Sequence, residues 1–70
     1  MKTQTAYCAV REDNPGAGEW FDTVSMGVDK GLCEARSIMI NEQICNDNWM
    51  QAHSRLLRIA RVEIKELEDI

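Results

Sequence analysis

Apolar positions recur with two different periods along this chain, and the change from one to the other marks out its elements. Thr3 to Arg11, TQTAYCAVR, alternates: Ala6, Cys8 and Val10 fall on one side, Tyr7, Ala9 and Arg11 on the other. That is the period of a strand with one buried face. Glu12 to Gly18, EDNPGAG, breaks the pattern with turn residues: Asn14 precedes Pro15, which fixes its own φ, and Gly16 and Gly18 accept positive φ. Glu19 to Met26, EWFDTVSM, alternates again and is rich in aromatic and β-branched residues, so it predicts a second strand in a hairpin with the first. Trp20 and Phe21 are neighbours there and must point to opposite faces.

From Asp29 to Asn46 the period lengthens to that of a helix. Asp29 is placed to cap it, its carboxylate accepting from a first-turn amide at the positive end of the helix dipole. Leu32, Ala35 and Met39, widened by Ile38, form the stripe expected to face the sheet. A second stripe, Cys33, Ile40 and Ile44, lies roughly 100° around the same cylinder. A three-stranded sheet does not cover so much circumference, so this second stripe either curls into the sheet edge or forms the interface of a homodimer. Asn46-Asp47-Asn48 should break the helix, with Trp49, Met50 and Ala52 extending it by a turn or covering one end of the core.

Arg55 to Glu68 fits both periods. Leu56, Ala60, Ile64 and Leu67 would make a helical stripe, whereas Ala60, Val62 and Ile64 alternate strictly with Arg61, Glu63 and Lys65. The alternation, and the need of an isolated hairpin for a third strand, favour a strand. The expected fold class is α+β, a single domain over residues 1–70 in the order β-β-α-β: a three-stranded antiparallel sheet with one helix packed on one face.

Composition narrows the function classes. Seventy residues sit near the lower limit for an unaided core and leave little room for a reaction pocket. The formal net charge of −4 argues against direct nucleic-acid binding, kept as the third alternative, and suits contact with a basic partner. No apolar run is long enough for a membrane span, and MKTQTAYCAV lacks the core of a signal peptide, so a cytoplasmic location is expected.

The chemistry-bearing residues are sparse. Cys33, Cys45 and His53 are too widely spaced to pre-form half of a tetrahedral metal site, and free cysteines pack as small hydrophobes. Cys33 lies in the first helical turns but has no assured histidine partner to make it a nucleophile. Glu63, Glu66, Glu68 and Asp69 lack the dry pocket that paired-carboxylate catalysis requires. The glycines match no phosphate-binding loop. Arg55, Arg58 and Arg61 do not keep one face on a strand, and Arg61, Glu63 and Lys65 read as charge decoration of a sheet that blunts an edge. No catalytic residue, cofactor or metal is expected.

The layout AYCAVRE, then WFDTVSM, then a helix, then RIARVEI resembles the short accessory reading frames of phages and prophages, of which anti-CRISPR proteins are the best-known group. The likeness is one of layout over most of the chain and carries no functional residue with it. It implies a non-enzymatic inhibitor of a larger host protein or protein–nucleic-acid complex. The expected contact surface is the hairpin: the carboxylates Glu12, Asp13, Glu19 and Asp22 would face a basic surface, with Trp20 or Phe21 as anchor. The alternative from the residues is a homodimeric assembly module joined through Cys33, Ile40 and Ile44.

Overall fold

The computed structural model describes residues 1–14 and 16–70; the expected part of Pro15 in the first turn lies outside the described residues. Five elements follow in order: β1 (Thr3–Asp13), β2 (Glu19–Gly27), α1 (Lys30–Cys45), α2 (Asn48–His53) and β3 (Ser54–Lys65). The strands form one antiparallel sheet in the order β2-β1-β3, with α1 packed on it, so the fold is α+β. The main helix ends where expected, and the segment expected to extend it by a turn or cover the core forms a separate helix, α2. Asn46 closes α1, and Asp47 immediately caps a new helix by accepting from the Met50 amide at 2.9 Å. The same polar triplet that ends one helix supplies the side chain that starts the next.

β1 is the middle strand, which explains its composition. Ala6, Cys8, Ala9 and Val10 are all buried. Consecutive residues point to opposite faces, so this strand is shielded on both sides rather than on the single face expected. Its pairing with β3 is regular from Thr3↔Lys65 to Val10↔Arg58, then shifts by one residue at Leu57 and resumes as Arg11↔Leu56. Its pairing with β2 is more disturbed. Residues Thr23–Met26 span the interval that Cys8 alone spans in β1, between the pairs Ala9↔Asp22 and Tyr7↔Gly27.

This bulge is held by buried polar groups. The Ser25 hydroxyl donates to the Asp22 carbonyl at 2.6 Å and accepts from the Ala9 amide at 2.8 Å, replacing a ladder bond. The Asp22 carboxylate accepts from the Val24 amide, and the Cys8 thiol donates to the Asp22 carbonyl at 3.1 Å. Among the described residues no buried side-chain nitrogen or oxygen lacks a partner. The bulge therefore avoids the cost of unmade hydrogen bonds.

Asp29 caps α1 as expected, its Oδ1 accepting from the Leu32 amide at 3.2 Å. Of the apolar residues of α1 expected to be buried, Ile40 and Ile44 are, but the stripe expected to face the sheet is not. Cys33, Ser37, Ile40 and Ile44 are buried, while Leu32, Ile38 and Met39 stand 43%, 61% and 62% exposed. The core explains the choice. It is built from small side chains, with Ala6, Cys8, Ser25 and Cys33 fully covered, and a helix face bearing Cys33 and Ser37 can approach such a floor closely. Ser37 folds its hydroxyl back onto the Cys33 carbonyl at 2.7 Å and so enters the core satisfied. Cys33, Ile40 and Ile44 are consequently spent on the chain's own sheet and are not the surface a second copy would meet.

Candidate binding surface

The hairpin register brings the expected contact residues together. Across β1 and β2 the pairs are Val10↔Phe21, Arg11↔Trp20 and Glu12↔Glu19; across β1 and β3 they are Val10↔Arg58, Arg11↔Leu56 and Glu12↔Arg55. Paired residues share a face, so Phe21, Val10 and Arg58 line one side and Trp20, Arg11 and Leu56 the other. Trp20 is 43% and Phe21 53% exposed, and Val24 within the bulge is 74% exposed. A shallow cleft of about 170 Å³ runs along the rim, lined by Val10, Glu19, Trp20, Phe21 and Arg58.

The carboxylates are placed here too, but not as a bare acidic surface. Glu12 accepts from Arg55 Nε and Nη2 at 3.0 and 2.7 Å and from the Gly16 amide at 3.0 Å. Glu19 takes both ends of the Arg58 fork at 3.0 and 2.9 Å. Asp13 accepts from Arg11 Nε at 3.0 Å and the Ser54 hydroxyl at 2.7 Å. Asp22 accepts from Arg11 Nη1 at 3.1 Å and is only 4% exposed, which removes it from any partner's reach. Three arginines thus engage all four carboxylates, Arg11 serving two of them, and the surface a partner would meet is aromatic and zwitterionic with one negative charge in excess.

Arg11 is the hub of this arrangement. Besides Asp13 and Asp22 it donates to Ser54 Oγ at 3.3 Å, and its guanidinium carbon lies 5.1 Å from the Trp20 ring centroid. The cation holds Trp20 by its π face, so the indole's orientation depends on a residue in the next strand. The Gly16 amide, and then Arg55, hold the Glu12 carboxyl below its ordinary range; Ser54, and then Arg11, do the same for Asp13, and Arg58 for Glu19. Arg58 is raised in turn by Glu19.

Sequence reasoning missed the role of Arg55 and Arg58. Read as a regular strand, their spacing puts them on opposite faces. The one-residue shift at Leu57 instead sets them against Glu12 and Val10, two apart on β1, so both reach the same side. Local sequence carries no sign of that shift.

The remaining candidates lie apart from the hairpin cleft. Cys8 and Cys33 are buried and Cys45 is exposed. Burial pushes the Cys8 thiol up, which makes it a poorer nucleophile. His53 contacts the Trp49 carbonyl through Nδ1 at 2.7 Å and stacks on the Trp49 ring at 4.4 Å between centroids. Among the described residues no three or more His, Cys, Asp and Glu side chains converge as a metal-binding set, and no helix is long and apolar enough to cross a membrane.

Fold and surface together define a small α+β protein with an aromatic hairpin whose charges are internally paired. No family model, curated protein or solved structure matches the chain.

Proposed function

We propose that this protein is a small non-enzymatic binding protein that seats its β1–β2 hairpin on a larger macromolecule and blocks the surface it covers, as anti-CRISPR-like phage proteins do. One observation supports this reading above the others: Trp20 and Phe21 are half exposed on a rim whose geometry is fixed by Arg11–Asp22 and Arg58–Glu19. Aromatic side chains held rigidly lose little entropy on binding and are the commonest anchors of protein interfaces. The internal pairing of the carboxylates modifies the mechanism. Affinity would come from aromatic area in the cleft, and charge would act on orientation more than on strength.

The test is differential capture. The immobilised wild-type chain and a Phe21→Ala/Val24→Ala variant, both verified folded by circular dichroism, are exposed to a bacterial lysate. Proteins retained by the wild type should be lost from the variant, with at least a tenfold fall in affinity once the retained species is purified, as expected for an anchor contributing about 2 kcal/mol. Equal retention by both chains would remove the hairpin from consideration. For the inhibitory role, expression of the chain in a strain that restricts a phage through a CRISPR system should restore plaques. Undiminished restriction refutes the anti-CRISPR form of the proposal.

A further inference from the structure

The two edges of the sheet differ in kind. β2 is interrupted by the Thr23–Met26 bulge, which spoils it as a template for another strand. β3 is not. From Arg58 to Lys65 it is regular, it hydrogen-bonds to β1 alone among the described residues, and the ladder continues one step further through the Glu66 amide on the Lys2 carbonyl at 2.8 Å. Its outer row of backbone donors and acceptors faces outward along this whole run.

An antiparallel pair of identical strands related by a two-fold axis normal to the sheet must centre on a residue, because opposed residues share a face. Centring on Arg61 or Glu63 sets like charges directly opposite each other. Centring on Ala60 opposes Arg61 to Ile59, Arg58 to Val62 and Glu63 to Leu57. Centring on Ile64 pairs Glu63 with Lys65 but opposes Val62 to Glu66 and Arg61 to Leu67. Centring on Val62 behaves differently. Arg61 then faces Glu63 of the second copy and Glu63 faces its Arg61, while Ala60 faces Ile64 and Val62 meets itself. Ile59 against Lys65 is the one mismatch inside the strand, and Arg58, held by Glu19, faces Glu66 beyond it. Arg61 and Glu63 are both exposed, and across β1 they are paired with the uncharged Tyr7 and Thr5. Ile64, 41% exposed in the single chain, gains an apolar neighbour.

We propose that two copies of this chain associate edge to edge through β3, in the register centred on Val62, to form a continuous six-stranded sheet with both α1 helices on the same side. The interface is specified by opposite-charge pairs on either side of the axis. It occupies the edge opposite β2, so the outer strand of each aromatic hairpin stays away from the axis. Arg58 alone belongs to both the cleft and the seam, and substitutions at Arg61 and Glu63 leave it unchanged. The alternation of sign along β3 admits this self-pairing register and opposes the adjacent ones that would oppose like charges.

Sedimentation velocity at micromolar to millimolar concentration tests it. The wild type should sediment as a concentration-dependent dimer. Arg61→Glu alone and Glu63→Arg alone each oppose like charges across the axis and should weaken self-association at least tenfold. Mixed in equal amounts, the two variants restore both complementary pairs and should form a heterodimer at wild-type affinity. Circular dichroism of each variant reports whether the monomer fold is kept. A wild type that stays monomeric to a millimolar, a single variant that dimerises like the wild type, or folded variants that fail to associate on mixing would each overturn the proposal.

Discussion

Replacing Arg11 by methionine tests whether the buried ion pair organises the hairpin. The Arg11 and Asp22 side chains are 13% and 5% exposed and meet at 3.1 Å. Two unit charges about 4 Å apart attract by about 4 kcal/mol at an effective dielectric of about 20, and desolvation offsets most of that. The pair is therefore worth little against an apolar substitute, but breaking it is costly. Arg11→Met strands the Asp22 carboxylate without a cation and should cost about 3–5 kcal/mol. A domain of this size holds roughly 4–10 kcal/mol in total, so the variant should lose at least about a third of it. Asp22→Asn removes the charge and keeps the acceptor for the Val24 amide, at about 1–2 kcal/mol. In the Asp22→Asn background, loss of Arg11 should cost only the contacts to Trp20, Asp13 and Ser54, about 1–2 kcal/mol. The coupling between the two substitutions is then about 1–4 kcal/mol. Urea unfolding of the four chains at neutral pH, followed by tryptophan fluorescence and circular dichroism, measures it. Additive losses, or an Arg11→Met cost below about 1 kcal/mol, would show that the pair behaves as a screened surface contact.

Ile44→Ala should destabilise by about 2–5 kcal/mol, whereas Met39→Ala should stay within about 0.5 kcal/mol; comparable losses in urea unfolding would mean that the buried stripe of α1 has been assigned the wrong way round. An aromatic disulfide reagent should label Cys45 rapidly and Cys8 and Cys33 only on unfolding, so a second fast thiol would contradict their burial. Glu12, Asp13 and Glu19 bind protons less tightly folded than unfolded, so acid favours the unfolded chain. Their contribution is intact above the ordinary carboxyl values of 4.5 for Glu and 3.8 for Asp and drains as pH falls through the depressed folded values. Urea midpoints measured from neutral pH downward should therefore fall less steeply in Glu12→Gln/Glu19→Gln than in the wild type, and parallel profiles would contradict the assigned pairings.

The elements were legible because their signals are local. The alternation of Ala60–Lys65, the cap at Asp29, and the positive φ of Gly16 and Gly18, at 93° and 101°, each depend on a few neighbouring residues. What was not legible depends on residues far apart in sequence. Whether Glu19 is a bare carboxylate is decided by Arg58, thirty-nine positions away, and the fate of Glu12 by Arg55, forty-three away. The helix face was misjudged for a related reason. Counting apolar side chains favours Leu32, Ile38 and Met39, but a floor of alanine, cysteine and serine selects the slimmer side of α1, polar Ser37 included. The second helix was hidden because Asn46-Asp47-Asn48 carries both a stop and a start in adjacent positions.

The order of strands has a consequence for biosynthesis. β1 lies between β2 and β3, yet its longer ladder is with β3, the last of the five elements to be made. While β3 is still inside the ribosome, the emerging chain holds at most a hairpin and two helices, with one side of its middle strand open. A two-stranded ribbon of this kind is marginal in water, so the nascent protein is without a finished sheet until β3 has emerged. Chaperones would meet it in that state, and a stalled or prematurely terminated product lacking β3 would present them with an open, half-apolar strand rather than a smaller version of the fold.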